Sequence, residues 1–341
     1  MKGASNAVMA LSRGLYAKRI KDEQYSELLA CKSCNEIAAY LRNNEVYEKA
    51  FDGSLKTDYS ATALCDIAQK ASFNNFMYLY RFEVAIGQKF SKYFIAKNDV
   101  EQILKCTLYI MSGKQEEYLL SFQSFLDKHL TINLFELAKA KTLNEVADVL
   151  HKTKYEKVYR ECLKNKNVSY LDFETALNSY FEAYQKQLLK ECFSKKEQDQ
   201  MDNLMSKRLD LEYVQRICRI IKYYANNQKL KKSVSNLGLT LLTKKQVQGL
   251  IDSQTIADVK AVLRTSAYRK FADFDENNIS VQIKQYLYTT YKKRLRFSTY
   301  PSEIMFAYLY LAENECENII KIIEGCNYGI SADEIKANLI F

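Results

Sequence analysis

One motif occurs three times in this chain, and no other feature restricts its fold as much. The first copy, Ser33-Cys34-Asn35-Glu36-Ile37-Ala38-Ala39-Tyr40-Leu41, is followed by Tyr47-Glu48-Lys49. The second, Thr142-Leu143-Asn144-Glu145-Val146-Ala147-Asp148-Val149-Leu150, is followed by Tyr155-Glu156-Lys157. The third, Thr255-Ile256-Ala257-Asp258-Val259-Lys260-Ala261-Val262-Leu263, is followed by Tyr268-Arg269-Lys270. Ser33, Thr142 and Thr255 stand where they cap a helix, and the acid three residues on returns the capping hydrogen bond or favours the positive helix N-terminus. Apolar residues then recur on one helical face, as Ile37, Tyr40 and Leu41, Val146, Val149 and Leu150, and Val259, Val262 and Leu263, which predicts that this face is buried. Eight residues before each acid stands Leu28, Leu137 or Leu250, in a short apolar-periodic segment that predicts a preceding helix. The unit is at least a helical hairpin.

A second element follows in every copy: Val100-Glu101-Gln102-Ile103-Leu104-Lys105, Leu211-Glu212-Tyr213-Val214-Gln215-Arg216 and Cys316-Glu317-Asn318-Ile319-Ile320-Lys321. Its glutamate and base are spaced for i,i+4 pairs, Glu101–Lys105, Glu212–Arg216 and Glu317–Lys321. The capping acids fall at positions 36, 145 and 258 of 341 residues, spacings close to a third of the chain. The division this predicts is three copies of one helical domain, 1–116, 117–230 and 231–341. Homologous faces of a triplicated chain can surround one axis as the subunits of a cyclic oligomer do, which gives a pseudo-three-fold funnel or socket with a central cavity. An open solenoid is the competing geometry, but common solenoid repeats are much shorter than these.

Composition agrees with an all-α chain. There is one proline, Pro301, and nine glycines, so the residues that punctuate strands and tight turns are scarce, while 48% hydrophobic residues supply a large core. The longest run without a charge, Ser233 to Thr243, is well short of the roughly 20 apolar residues that cross a bilayer. The opening Met1-Lys2-Gly3-Ala4-Ser5-Asn6 leads into a stretch broken by Arg13, Lys18, Arg19 and Lys21, without the apolar region of a signal peptide, so the expected location is the cytoplasm. Nine irregularly spaced cysteines argue for reduced thiols rather than a disulfide framework. A net charge of +9 permits an acidic partner without choosing one.

The residues of catalysis and of cofactor or metal binding do not assemble in the sequence. There is no Gly-rich phosphate loop and no Gly-x-Gly-x-x-Gly after a strand-like run. His129 and His151 belong to no ligand cluster, and Cys31-Lys32-Ser33-Cys34 is a lone Cys-x-x-Cys at a helix junction, without the second pair that structural zinc requires. The basic run Lys292-Lys293-Arg294-Leu295-Arg296, between Tyr291 and Phe297, reads as a solvated helix face, with contact to nucleic acid as its rival. The expectation is a chain with no catalytic, cofactor or metal site, and with partner-contact residues that sequence does not identify.

Several segments, in order along nearly the whole chain, carry a resemblance: Asn6-Ala7-Val8-Met9-Ala10-Leu11-Ser12-Arg13, Asp99 to Lys105, Asp210-Leu211-Glu212, Pro301, Ala307-Tyr308-Leu309, Ala312 to Gly325 and Gly329 to Ile335. Together they resemble the C subunit of bacterial and archaeal V-type ATPases, the counterpart of eukaryotic subunit d. Met9 stands where that family commonly has arginine, so no role tied to the arginine carries over. The resemblance implies a non-catalytic central-stalk rotor subunit, in which three helical domains surround a cavity. It also implies the partners: shaft subunits of the D and F type plug into the cavity, and one end rests on the cytoplasmic face of the membrane proteolipid (c/K-type) ring, with no nucleic acid involved. The alternative reading is a helical-repeat scaffold that binds RNA or an anionic surface through a basic face.

Overall fold

The computed structural model describes residues 6–51, 58–85, 92–120, 123–165, 167–234 and 240–341, and among these every regular element is a helix. The opening residues 1–5 and the middle of the uncharged run, 235–239, lie outside the described residues. The first repeat holds α1 (Asn6–Ala17), α2 (Asp22–Ala30), α3 (Cys34–Arg42), the long α4 (Ala61–Ala85) and α5 (Lys92–Met111). α6 (Gln115–Leu120) crosses the expected boundary at 116/117, and the second repeat then holds α7 (Leu134–Lys139), α8 (Leu143–Val149), α9 (Glu156–Leu163), α10 (Tyr170–Cys192) and α11 (Lys195–Tyr223). α12 (Gln228–Ser233) crosses the boundary at 230/231, and the third holds α13 (Lys244–Asp252), α14 (Ile256–Arg264), α15 (Ile279–Phe297), α16 (Pro301–Asn327) and α17 (Ala332–Ala337). Each repeat thus contains a short hairpin (α2–α3, α7–α8, α13–α14) followed by two long helices (α4–α5, α10–α11, α15–α16).

The hairpins start as the motif requires. The hydroxyls of Ser33, Thr142 and Thr255 accept from the amides of Glu36, Glu145 and Asp258, each at 3.2 Å. Side-chain length decides where the acid returns the bond. Glu36 and Glu145 reach one residue past the cap, to Lys32 N and Lys141 N at 2.8 Å, whereas the shorter Asp258 accepts from Gln254 N and from the cap amide of Thr255, both at 2.9 Å. Ile37 and Leu41, Val146 and Leu150, and Val259 and Leu263 are fully buried, as are Leu137 and Leu250, with Leu28 nearly so. The third position of each expected apolar face, Tyr40, Val149 or Val262, is only half-buried.

Packing divides the chain into two compact units: Met1–Gln88, Phe193–Asn227 and Thr240–Phe341 form one, Lys89–Cys192 and Gln228–Leu239 the other. This division records which helices touch, whereas the three-repeat division is one of kinship within the sequence. In the second unit, α5 packs on α7, α8 and α10 around Ile103, Leu134, Tyr159 and Phe173, whose side chains are wholly buried. In the first unit α16 is the central helix, contacted by α1, α4, α11 and α15. Pro301 begins it at the position where proline's fixed φ suits a helix. From Ile304 to Leu309 every side chain is buried, as in a helix enclosed on all sides.

The end of α16 depends on a glycine. A Cβ on Gly325 would lie 2.5 Å from Cδ1 and 2.6 Å from Cγ1 of Ile335 on α17. Gly325→Ala should therefore destabilise the first unit by about 1–3 kcal/mol through overpacking, although alanine is the better helix former. With Ile335 also shortened to alanine, the same change should become neutral or favourable, and denaturant titration of the four variants checks the reversal.

Candidate functional site: a carboxylate clasp in each repeat

The acid just before each recurring Val/Leu/Cys-Glu element, Asp99, Asp210 or Glu315, performs the same task in all three copies. Asp99 and Asp210 are completely buried. Asp99 on α5 accepts from Thr131 N at 2.9 Å, from the Thr131 hydroxyl and from Tyr155 OH at 2.8 Å. Asp210 on α11 accepts from the Thr240 hydroxyl, from Leu241 N at 2.8 Å and from Tyr268 OH at 2.6 Å. Glu315 on α16 accepts from Ile20 N at 3.1 Å and from Tyr47 OH at 2.9 Å.

The donors come from the next repeat, not from the carboxylate's own. Thr131 and Tyr155 flank the second hairpin and Leu241 and Tyr268 flank the third. Ile20 and Tyr47 flank the first, so the last repeat is bonded to the first. Helix packing follows the same order: α5 carries α7 and α8, α11 carries α13 and α14, and α16 carries α2 and α3. Each clasp lies wholly within one compact unit. A carboxylate can gather an amide and a phenol from the two ends of a hairpin because it offers about four lone-pair sites. The hairpin is thereby fixed at both ends to one point on a long helix.

Burial pushes the Tyr47, Tyr155 and Tyr268 phenols far above the usual tyrosine range, so all three remain donors near neutral pH. The carboxylates differ. Burial pushes Asp210 up, and its bonds from Thr240, Tyr268 and Leu241 oppose the shift. Glu315 has no threonine hydroxyl, and burial raises it to about 7 against the weaker pull of Tyr47, Ile20 and Arg19. Beside it is a cavity of about 30 Å³, also lined by Tyr16, Arg19, Tyr25 and Tyr288, with room for a water.

The glutamates singled out by i,i+4 spacing have partners on the other side as well. Glu101 pairs backward with Lys97 at 3.5 Å, and Glu212 backward with Arg208 at 2.8 Å. In the third copy the backward position is itself acidic, Glu313, and Glu317 pairs across helices with Lys284 on α15. Lys321 instead donates to the Asn338 carbonyl at 2.7 Å. His151 Nδ1 lies 3.0 Å from Glu156 in an exposed local pair, and the side chain of His129 is half-buried. Cys31 and Cys34 occupy the α2–α3 junction and pack beside the first hairpin's core, where burial pushes both thiols up. Among the described residues, no group of three or more His, Cys, Asp or Glu side chains is placed to hold a metal ion, and no helix is long and apolar enough to cross a membrane.

The family described as ATP synthase (C/AC39) subunit matches residues 8–338. A search of curated proteins finds no match.

Proposed function

The chain belongs to the C/AC39 family of V-type ATP synthase subunits, and from that premise we propose that it is the rotor subunit joining the central shaft to the membrane proteolipid ring. In this role it performs no catalysis. It transmits torque between D- and F-type shaft subunits held in a cavity among three domains, 1–116, 117–230 and 231–341, and a ring approached from the cytoplasmic face, for ATP-linked proton or sodium transport. The observation that carries the reading is the order of the clasps. Repeat one holds repeat two, two holds three and three holds one, which is the bonding order a closed socket requires and an open solenoid lacks. A part that passes torque must resist deformation at its joints, and a buried carboxylate with several directed donors is stiff where an apolar contact would slide.

Affinity purification of the tagged chain from gently solubilised native membranes tests the proposal. Shaft subunits together with the proteolipid ring should co-purify and be identified by mass. Recovery of RNA or unrelated proteins in their place would overturn it.

A further inference from the structure

The basic run at the end of α15 borders an open cavity of about 450 Å³ between α11, α15 and the start of α16. Lys207, Lys293 and Arg294 line it, with Phe297 and Tyr300 at its edge and Glu303 in its wall. Arg294 answers the negative end of the α15 dipole, which is a sufficient structural reason for its presence. Lys207 has no such reason: it comes from a different helix, is half-buried, and is pushed down by desolvation and by Arg294 more than Glu303 restores.

Two groups here are left incomplete. The Glu303 side chain is only 2% exposed, yet its Oε1 has no hydrogen-bond partner and its ion pair with Arg294 Nε is long, at 3.4 Å. Phe297 is 79% exposed, although the chain around it is held firmly. The Arg13 guanidinium on α1 donates to the carbonyls of Leu295 at 3.0 Å, Arg296 at 3.3 Å and Ser298 at 2.9 Å, fixing the backbone on both sides of the ring. An aromatic held rigidly in water beside cations matches the chemistry of a membrane interface, where the ring enters the headgroup layer and the cations meet phosphate.

We propose that this cavity and Phe297 form a membrane-surface site that takes the headgroup of an anionic phospholipid. The phosphate is met by Lys207, Lys293 and Arg294, while the Glu303 carboxylate stays paired with Arg294 in the wall behind them. The site does not depend on the rotor reading, because it uses only this chain and a lipid surface.

Flotation of the purified full chain with phosphatidylcholine vesicles, with and without phosphatidylglycerol, tests it. Binding should require the anionic lipid. It should weaken tenfold or more in K207Q/K293Q, on the scale of two lost cations at a membrane surface, and weaken in F297S. K244Q/K245Q on α13 removes the same charge elsewhere and should bind as the parent does, and helical circular dichroism confirms that each variant is folded. No binding to anionic vesicles, or equal loss in both lysine pairs, would overturn the proposal. Binding of single-stranded RNA through Lys207 and Lys293 without vesicle binding would overturn it too.

Discussion

Replacing Asp99 with alanine will destabilise the unit built on α5 and α7–α10 by about 2–4 kcal/mol. The change takes the shared acceptor from the Thr131 amide, the Thr131 hydroxyl and the Tyr155 phenol; Thr131 is exposed and turns to water, but the buried phenol keeps only a 3.4 Å bond to the Ala96 carbonyl, and a buried polar group deprived of its partner costs roughly 1–3 kcal/mol. Tyr155→Phe removes one donor to a buried carboxylate and should cost about 1.5–3 kcal/mol. In the double variant the phenol is no longer stranded, so the two changes together should cost less than their sum by more than about 0.5 kcal/mol. Hydrogen exchange of the amides after Thr131, combined with denaturant titration, reads the effect in the affected unit. A loss below about 1 kcal/mol for Asp99→Ala, or strict additivity with Tyr155→Phe, would show that Asp99 does not join the second hairpin to α5.

The helical architecture was legible because its signals are local. A cap, an acid three residues on and an apolar face each depend on neighbours within two turns, so Ser33, Thr142 and Thr255 begin helices where the motif places them. The clasp was only half legible. Tyr47, Tyr155 and Tyr268 stood out as repeated positions, and Asp99, Asp210 and Glu315 each lay beside a recurring element, but their partnership runs from one repeat into the next. No spacing within a repeat encodes it. Spacing rules drew attention instead to the following glutamates, which are partly exposed, and at Glu212 and Glu317 named a different partner from the one the fold supplies, because a helix offers each acid a neighbour on both sides. At Glu212 the base four residues before, Arg208, is taken rather than Arg216. The cavity beside α15 was hidden for a different reason. The basic run is local, but Lys207 and Glu303 reach it from α11 and α16, and only packing brings them there.

Glu315 makes the last clasp sensitive to pH, in the direction opposite to an ordinary paired carboxylate. Its folded value is raised from 4.5 to about 7, with burial as the leading cause. The stability tied to its protonated form is therefore complete below pH 4.5 and is lost as pH rises through 7. The loss by pH 8.5 is up to roughly 3 kcal/mol, since each tenfold change in proton affinity between the folded and unfolded chain is worth about 1.4 kcal/mol. The groups facing it from other elements do not reverse this sign. The Tyr47, Tyr25 and Tyr288 phenols are all pushed up by burial and stay neutral over the range, and Arg19 only moderates the rise. Denaturant titrations of the parent chain and of Glu315→Gln at pH 5.5 and 8.5 isolate the effect. The glutamine variant should lose less stability on going to pH 8.5 than the parent and should be the more stable of the two there. Identical pH dependence in both would mean that Glu315 does not titrate between these pH values. If the predicted difference is found, the joint between the last repeat and the first loosens on the alkaline side. Hydrogen exchange around Ile20 and Tyr47 should then quicken with pH more than the chemical rate alone requires.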